Sequence, residues 1–300
     1  MKLKNKKYRG IEYRRRRASF LFVLPWLIGF LALFARPLIS SFLYSVSSIS
    51  FVSGGVEMKY IGFKNYIDAF LTDVYFPKYL TGEIGKMLWQ VPVIVAFSLF
   101  ISVILSGNFK GRTIARTVFF VPVIVGSGIV LSIMSGDSMP AAISLGARSS
   151  ALFEAAGIEQ VLIQMGVSTD IVNMLMNIVN NLFNLVWHSG LQILLFISGH
   201  LSISPSLYEC AKVEGATGWD MFWKITFPLI SPVLILNIVY TLIDMFSDFS
   251  NEVMQYIYGY AKSLNLSYSS SLSIIYFVII IAIVGVVYAI VNRHIVYSVK

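Results

Sequence analysis

Six long apolar runs constrain this chain more than any other feature: Phe20–Phe34, Leu88–Leu105, Thr117–Met134, Ile171–Leu201, Leu229–Phe246 and Leu272–Val291. About 20 residues at 1.5 Å rise cross the roughly 30 Å of bilayer hydrocarbon. Backbone groups in lipid must be satisfied within the segment, so such runs fold as helices, and Pro or Gly inside them is tolerated where neighbours satisfy the freed groups. Charged residues make up only 13% of the 300, where a soluble domain carries about a quarter. The fold class expected is an all-α membrane protein with six transmembrane helices, over residues 18–43, 87–106, 114–135, 171–201, 228–250 and 270–292. A basic N-terminus of 1–17 precedes this single six-helix membrane domain of 18–300. The first apolar run exceeds the h-region of a signal peptide and no small-x-small site follows it, so it is expected to stay as a span.

Charge distribution predicts the orientation. Lys2, Lys4, Lys6, Lys7, Arg9 and Arg14 to Arg17 precede the first span. Lys110, Arg112 and Arg116 follow the second, Lys212 and Lys224 the fourth, and Arg293 and Lys300 the last. The alternate connections at 44–86, 135–170 and 251–269 are richer in Asp and Glu. The positive-inside rule places both termini in the cytoplasm, together with the loop at 202–227. The net charge of +8 then reads as topology and contact with anionic lipid headgroups, not as a nucleic-acid surface, since no nucleic-acid module surrounds the basic cluster. Aromatic residues at 60–79 suit an interfacial belt. Residues 154–166 show the spacing of a short amphipathic helix. Cys210, the only cysteine, leaves no intrachain disulfide and is expected to be a small buried residue.

Two spans carry polar residues at helical period. Asn173, Asn177, Asn181, Asn184, His188 and Gln192 recur every three or four positions, with Trp187 beside them. Asn237, Thr241, Asp244, Ser247 or Asp248, and Asn251 do the same, with Tyr240 on that side. A carboxylate at mid-span costs at least ~2.5 kcal/mol in lipid, so these faces turn to the bundle or to water. One reading is interhelical hydrogen bonding, worth about 0.6 kcal/mol per contact. The other, which we favour, is a hydrated path for a hydroxyl-rich solute, with Trp187 and Tyr240 available to stack on sugar rings.

The chain has no phosphate-binding loop, no His-Glu-x-x-His or paired-Cys metal spacing and no nucleophile elbow. No cofactor is expected, and any energised work draws on a partner. The polar block at 202–227 fits such a partner. Its sequence holds Tyr208-Glu209-Cys210-Ala211-Lys212-Val213-Glu214-Gly215-Ala216, then Phe227-Pro228 and Pro232. The order predicts a short helix, a break at Gly215 and a second short helix, exposed at the membrane face for docking.

That block resembles the cytoplasmic loop of the permease subunits of binding-protein-dependent ABC importers. The family pattern is matched by Glu209, Cys210 (for the usual Ala), Ala211, Glu214 (where Asp is common), Gly215, Ala216, Phe222, Ile225, Pro228 and Pro232. Ser202 to Tyr208 look like the lead-in. Phe22-Val23-Leu24-Pro25-Trp26-Leu27-Ile28-Gly29-Phe30 and Gly62-Phe63-Lys64-Asn65-Tyr66 are similar to segments of the multiple-sugar, maltose and glycerol-phosphate branch. The chain departs from it at Asp248-Phe249-Ser250-Asn251-Glu252 and over 135–170. The resemblance implies the type I importer permease fold, with Glu209 and Ala211 on a helix docked to an ATPase, Gly215 at its turn and Pro228 at the return into the fifth span. It implies four partners: a second permease, two ATP-binding subunits and an extracellular or periplasmic solute-binding protein. Other solutes, such as glycerol phosphate, are the alternative cargo. A polytopic membrane enzyme using Asp244 and Asp248 as an acid or metal pair, or a scaffold, are the readings from other classes.

Overall fold

A computed structural model describes residues 19–52, 55–107, 109–126, 162–166, 168–248 and 250–293. The basic N-terminus, His294, Lys300 and most of the 135–170 connection with its expected amphipathic helix lie outside those residues. Five helical stretches among the described residues are long and apolar enough to span a bilayer: Ser19–Ser45, Tyr75–Ser106, Thr169–Leu201, Phe227–Ser247 and Leu266–Asn292. The expected span at 114–135 is helical over Arg112–Gly126, and its remainder lies outside the described residues. The chain is thus a multi-pass, helical membrane protein.

The molecule divides into two compact units, one holding the residues up to Asp73 with Ile257–Tyr276, the other running over Val74–Tyr256 and from Phe277 onward. In the first unit, helix α1 (Ser19–Ser45) contains a π turn at Leu31–Ala35 and leads into an antiparallel hairpin, β1 (Ser47–Val52) with β2 (Gly55–Tyr60). This hairpin is the one sheet among the described residues and departs from the all-α expectation. Alternation through Ser48, Ile49, Ser50 and Phe51 gives it strand character. Ser45 is the knot of the unit. Its hydroxyl bonds the Tyr66 hydroxyl at 2.7 Å, while its carbonyl accepts from Asn65 Nδ2 (3.1 Å) and Ser271 Oγ (2.9 Å). Gly62, at φ +65°, turns the chain into helix α2 (Lys64–Leu71) and so brings Asn65 and Tyr66 back to Ser45. The interfacial aromatics divide: Tyr60, Phe63 and Phe70 are exposed, whereas Tyr66 is half-buried in that knot.

The second unit is built on α3 (Tyr75–Ser106), α4 (Arg112–Gly126), α5 (Thr169–Leu201) and α8 (Phe227–Ser247), with α5 packed against each of the other three. Leu105, Ile193 and Ile197 form its core, flanked by Ile101, Ala115 and Phe119. Arg116 closes the end of α3, donating from Nε and Nη2 to the Leu105 carbonyl at 3.2 and 2.7 Å. A cation there meets the negative end of the helix dipole. Backbones of α5 and α8 approach closely at Gly199, where a Cβ would stand 3.0 Å from Val233 Cγ2. Helices in lipid lack a hydrophobic drive toward each other, so such small-residue contacts and polar seams hold them together. Helices α9 (Glu252–Lys262) and α10 (Leu266–Asn292) each run from one unit into the other.

Candidate functional site

The two polar stripes lie on facing helices, and they separate into two environments along their length. Around Gln192, Asn237 and Thr241 the seam is dry. Gln192 is 1% exposed and the other two are fully buried. Asn237 Nδ2 donates to the Gln192 carbonyl at 3.0 Å, Gln192 Nε2 to Thr241 Oγ1 at 3.3 Å, and Thr241 Oγ1 to the Asn237 carbonyl at 2.8 Å. Asn237 Oδ1 has no hydrogen-bond partner among the described residues. This part of the stripe is packing, and it places Asn237 away from any open volume.

One to two turns further along, the same faces open on a cavity of about 720 Å³. Asn181, Asn184 and His188 line it from α5, and Asp248, Ser250 and Asn251 from the turn beyond α8. The volume is in the range of small-molecule pockets. His188 sits between two carboxylates, with Nδ1 3.2 Å from Asp244 Oδ2 and Nε2 3.4 Å from Asp248 Oδ2. A neutral imidazole offers one N–H, and only the protonated ring donates to both. Asp248 also accepts the Ser250 N–H through Oδ1 at 2.7 Å, which shapes the turn. Asp244 therefore reaches the cavity through His188. Trp187 instead meets Phe183, ring centroids 5.5 Å apart, and neither it nor Tyr240 lines the cavity. Asn173 and Asn177, a turn or two from Asn181, are exposed.

A further wall comes from α3, which carries the apolar run Leu88–Leu105 but neither of the polar stripes that the periodicity singled out. Glu83, Lys86, Trp89 and Gln90 line the cavity from there. Lys86 Nζ bridges Glu83 Oε1 and Glu252 Oε1, both at 2.8 Å, and Glu83 is 7% exposed. The span expected from residue 87 is a helix from Tyr75, so Glu83 and Lys86, read as loop charges, stand on the same face as Gln90. Their spacing of three and four was the available signal.

The polar loop after α5 folds as two short helices, α6 (Pro205–Val213) and α7 (Gly218–Met221). Gly215, at φ +82°, ends α6: Ala216 N–H donates to the Ala211 carbonyl at 2.9 Å and Gly215 N–H to that of Lys212 at 3.1 Å. This pair of bonds is a Schellman motif, which needs a left-handed residue at the Gly215 position. Thr217 and Asp220 cap α7 reciprocally. A π turn, Phe222–Thr226, joins α7 to α8, and Tyr208 hydroxyl bonds Thr226 Oγ1 across the loop at 2.9 Å. Pro228 stands in the first turn of α8. Glu209 and Glu214 are exposed, and Ala211 and Ala216 half-buried. Cys210 is exposed, not buried as expected: it lies on the free side of a nine-residue helix.

No family model matches the chain. It is 30% identical over 233 residues to the probable ABC transporter permease protein YesP of Bacillus subtilis (strain 168), covering 78% of this chain and 71% of that one. It is 25% identical over 254 residues to the arabinooligosaccharides transport system permease protein AraP of the same organism, covering 82% and 74%. To the trehalose/maltose transport system permease protein MalF of Thermococcus litoralis it is 26% identical over 241 residues, covering 78% and 75%. In fold it is similar to a chain of a bacterial ABC transporter involved in the import of the acidic polysaccharide alginate, with TM-score 0.60, 19% identity, and coverage of 94% and 97%. On the identity to YesP over most of both sequences, the chain belongs to the family of ABC transporter permeases.

Proposed function

We propose that this permease is one of two membrane-spanning subunits of an ATP-driven importer whose cargo is a sugar or oligosaccharide. The observation that carries the cargo is the cavity, where the amides of Asn181, Asn184 and Gln90 and the exposed indole of Trp89 stand together. Amides pair with hydroxyls as both donor and acceptor, and an indole face packs on a pyranose. The names of AraP and MalF agree. Energy reaches the path through α6, Gly215 and α7, which dock on an ATP-binding subunit in the cytoplasm, with Glu209, Cys210, Ala211, Glu214 and Ala216 on the docking element and Pro228 as its hinge into α8. Both termini share that side. The complex holds a second permease, two ATP-binding subunits and an external solute-binding protein, in line with the alginate transporter crystallised with its periplasmic protein. Alternating access then follows from rocking of the two permease halves.

The test is purification of the tagged chain from native membranes, identification of what accompanies it, and uptake in proteoliposomes. Recovery of an ATPase and a binding protein, with ATP-dependent saccharide uptake, is the expected result. An importer that moves only amino acids or ions would overturn the cargo.

A further inference from the structure

The saccharide reading leaves the charge of the cargo open, and the cavity speaks to it. Its charged side chains fall into two groups of the same make. Lys86 lies between Glu83 and Glu252, and His188 between Asp244 and Asp248. Among the described residues, Glu83 and Asp248 line the cavity beside Lys86 and His188, while Glu252 and Asp244 stand behind the two basic groups, so each base is already held between two acids and carboxylates outnumber bases four to two. The rest of the polar lining is uncharged. We propose that this cavity is a charge filter, admitting uncharged or amino-bearing saccharides and turning away acidic ones, uronates and sugar phosphates alike.

The physics is that of a cleft with an acidic excess in and just behind its walls, which focus the field and concentrate counter-charge. A uronate carboxylate entering it loses water beside Glu83 and Asp248, where like charges repel across a few ångströms. It finds a partner only by drawing Lys86 or His188 out of its pair, which strands a carboxylate in turn. A hydroxyl or an ammonium meets neither obstacle. A similar fold serves a transporter of acidic polysaccharide, so the fold does not set the charge of the cargo; the side chains of the site do.

The inference rests on the saccharide reading, and one experiment separates the two. Proteoliposomes carrying the co-purified importer receive three oligosaccharide pools of matched length: a neutral xylan and starch digest, a chitosan digest and a pectate digest. Accumulation in the lumen is measured by mass spectrometry. Neutral or amino oligosaccharides are expected to enter at least tenfold faster than uronates. Gln90→Lys, which adds an unclaimed ammonium to the wall, and Asp248→Asn are each expected to raise uronate uptake itself at least threefold, and so to narrow that ratio, with the binding protein unchanged. Uronate uptake equal to or faster than the neutral pool overturns the filter, as does a ratio unmoved in both variants while neutral uptake persists. If no pool enters although the complex hydrolyses ATP, the saccharide reading itself falls, and the filter with it.

Discussion

Two backbone positions carry opposite expectations. Gly215 ends α6 at φ +82° with open space around its Cα. A side chain there meets no clash, yet the left-handed backbone costs an L-residue about 1 kcal/mol. Gly215→Val should therefore lower the melting temperature only slightly in detergent while uncoupling uptake from ATP hydrolysis. Normal coupling in that variant would remove the docking assignment. Leu264 is the reverse case, a non-glycine residue at φ 62° in the same role at the end of α9, with Asn265 N–H bonded to the Tyr260 carbonyl and Leu264 N–H to that of Ala261. It is 60% exposed. Leu264→Gly should stabilise by about 1 kcal/mol, read as a rise in melting temperature. Gly215 was legible in the sequence because glycine after a short polar helix has a local cause. The strain at Leu264 was not, because nothing in a leucine announces left-handed backbone.

Among the elements, α4 reaches α3 through a polar cap as well as through the apolar core. Arg116→Met keeps the aliphatic stem but leaves the Leu105 carbonyl without its two charged donors. A loss of about 1.5 kcal/mol is expected, measured by thermal unfolding of the detergent-solubilised protein. At the α5–α8 seam, Gly199→Val drives a branched side chain into Val233 and should cost about 1–3 kcal/mol through overpacking. A melting temperature equal to that of the parent would show that the two helices separate freely. The periodicity that predicted both polar stripes holds along α5 and along α8 as far as Ser247, since 3.6 residues per turn needs no knowledge of neighbours, but Asp248 and Asn251 lie on the turn beyond the helix. It could not divide the stripes. Asn237 and Asp244 share one stripe, and whether each meets a buried carbonyl or a histidine at the cavity wall depends on how far the facing helix stands at that height.

For the whole molecule, sidedness is the open expectation, and the chain supplies its own probe. Cys210 is the only cysteine and is exposed on α6. A membrane-impermeant maleimide should label it in inside-out vesicles and leave it unlabelled in intact cells. The opposite pattern would reverse the proposed orientation and move the docking loop to the wrong side of the membrane for any ATPase. Labelling in inside-out vesicles should also fall when the partner ATPase is retained, because the loop is then covered.

Length and hydropathy determined the class of this protein without help, because a bilayer accepts few solutions for an apolar run of 20 residues. The helix–glycine–helix loop was equally local, its causes lying within a dozen residues. The cavity was not. Glu83 and Lys86 precede an apolar run and look like loop charges until α3 extends back to Tyr75 and turns them inward toward His188 and Asp248. The pairing of each basic group with two carboxylates brings together residues as far apart as Lys86 and Glu252. Such distances close only when the helices pack, and electrostatics at a few ångströms then decides what the space between them admits.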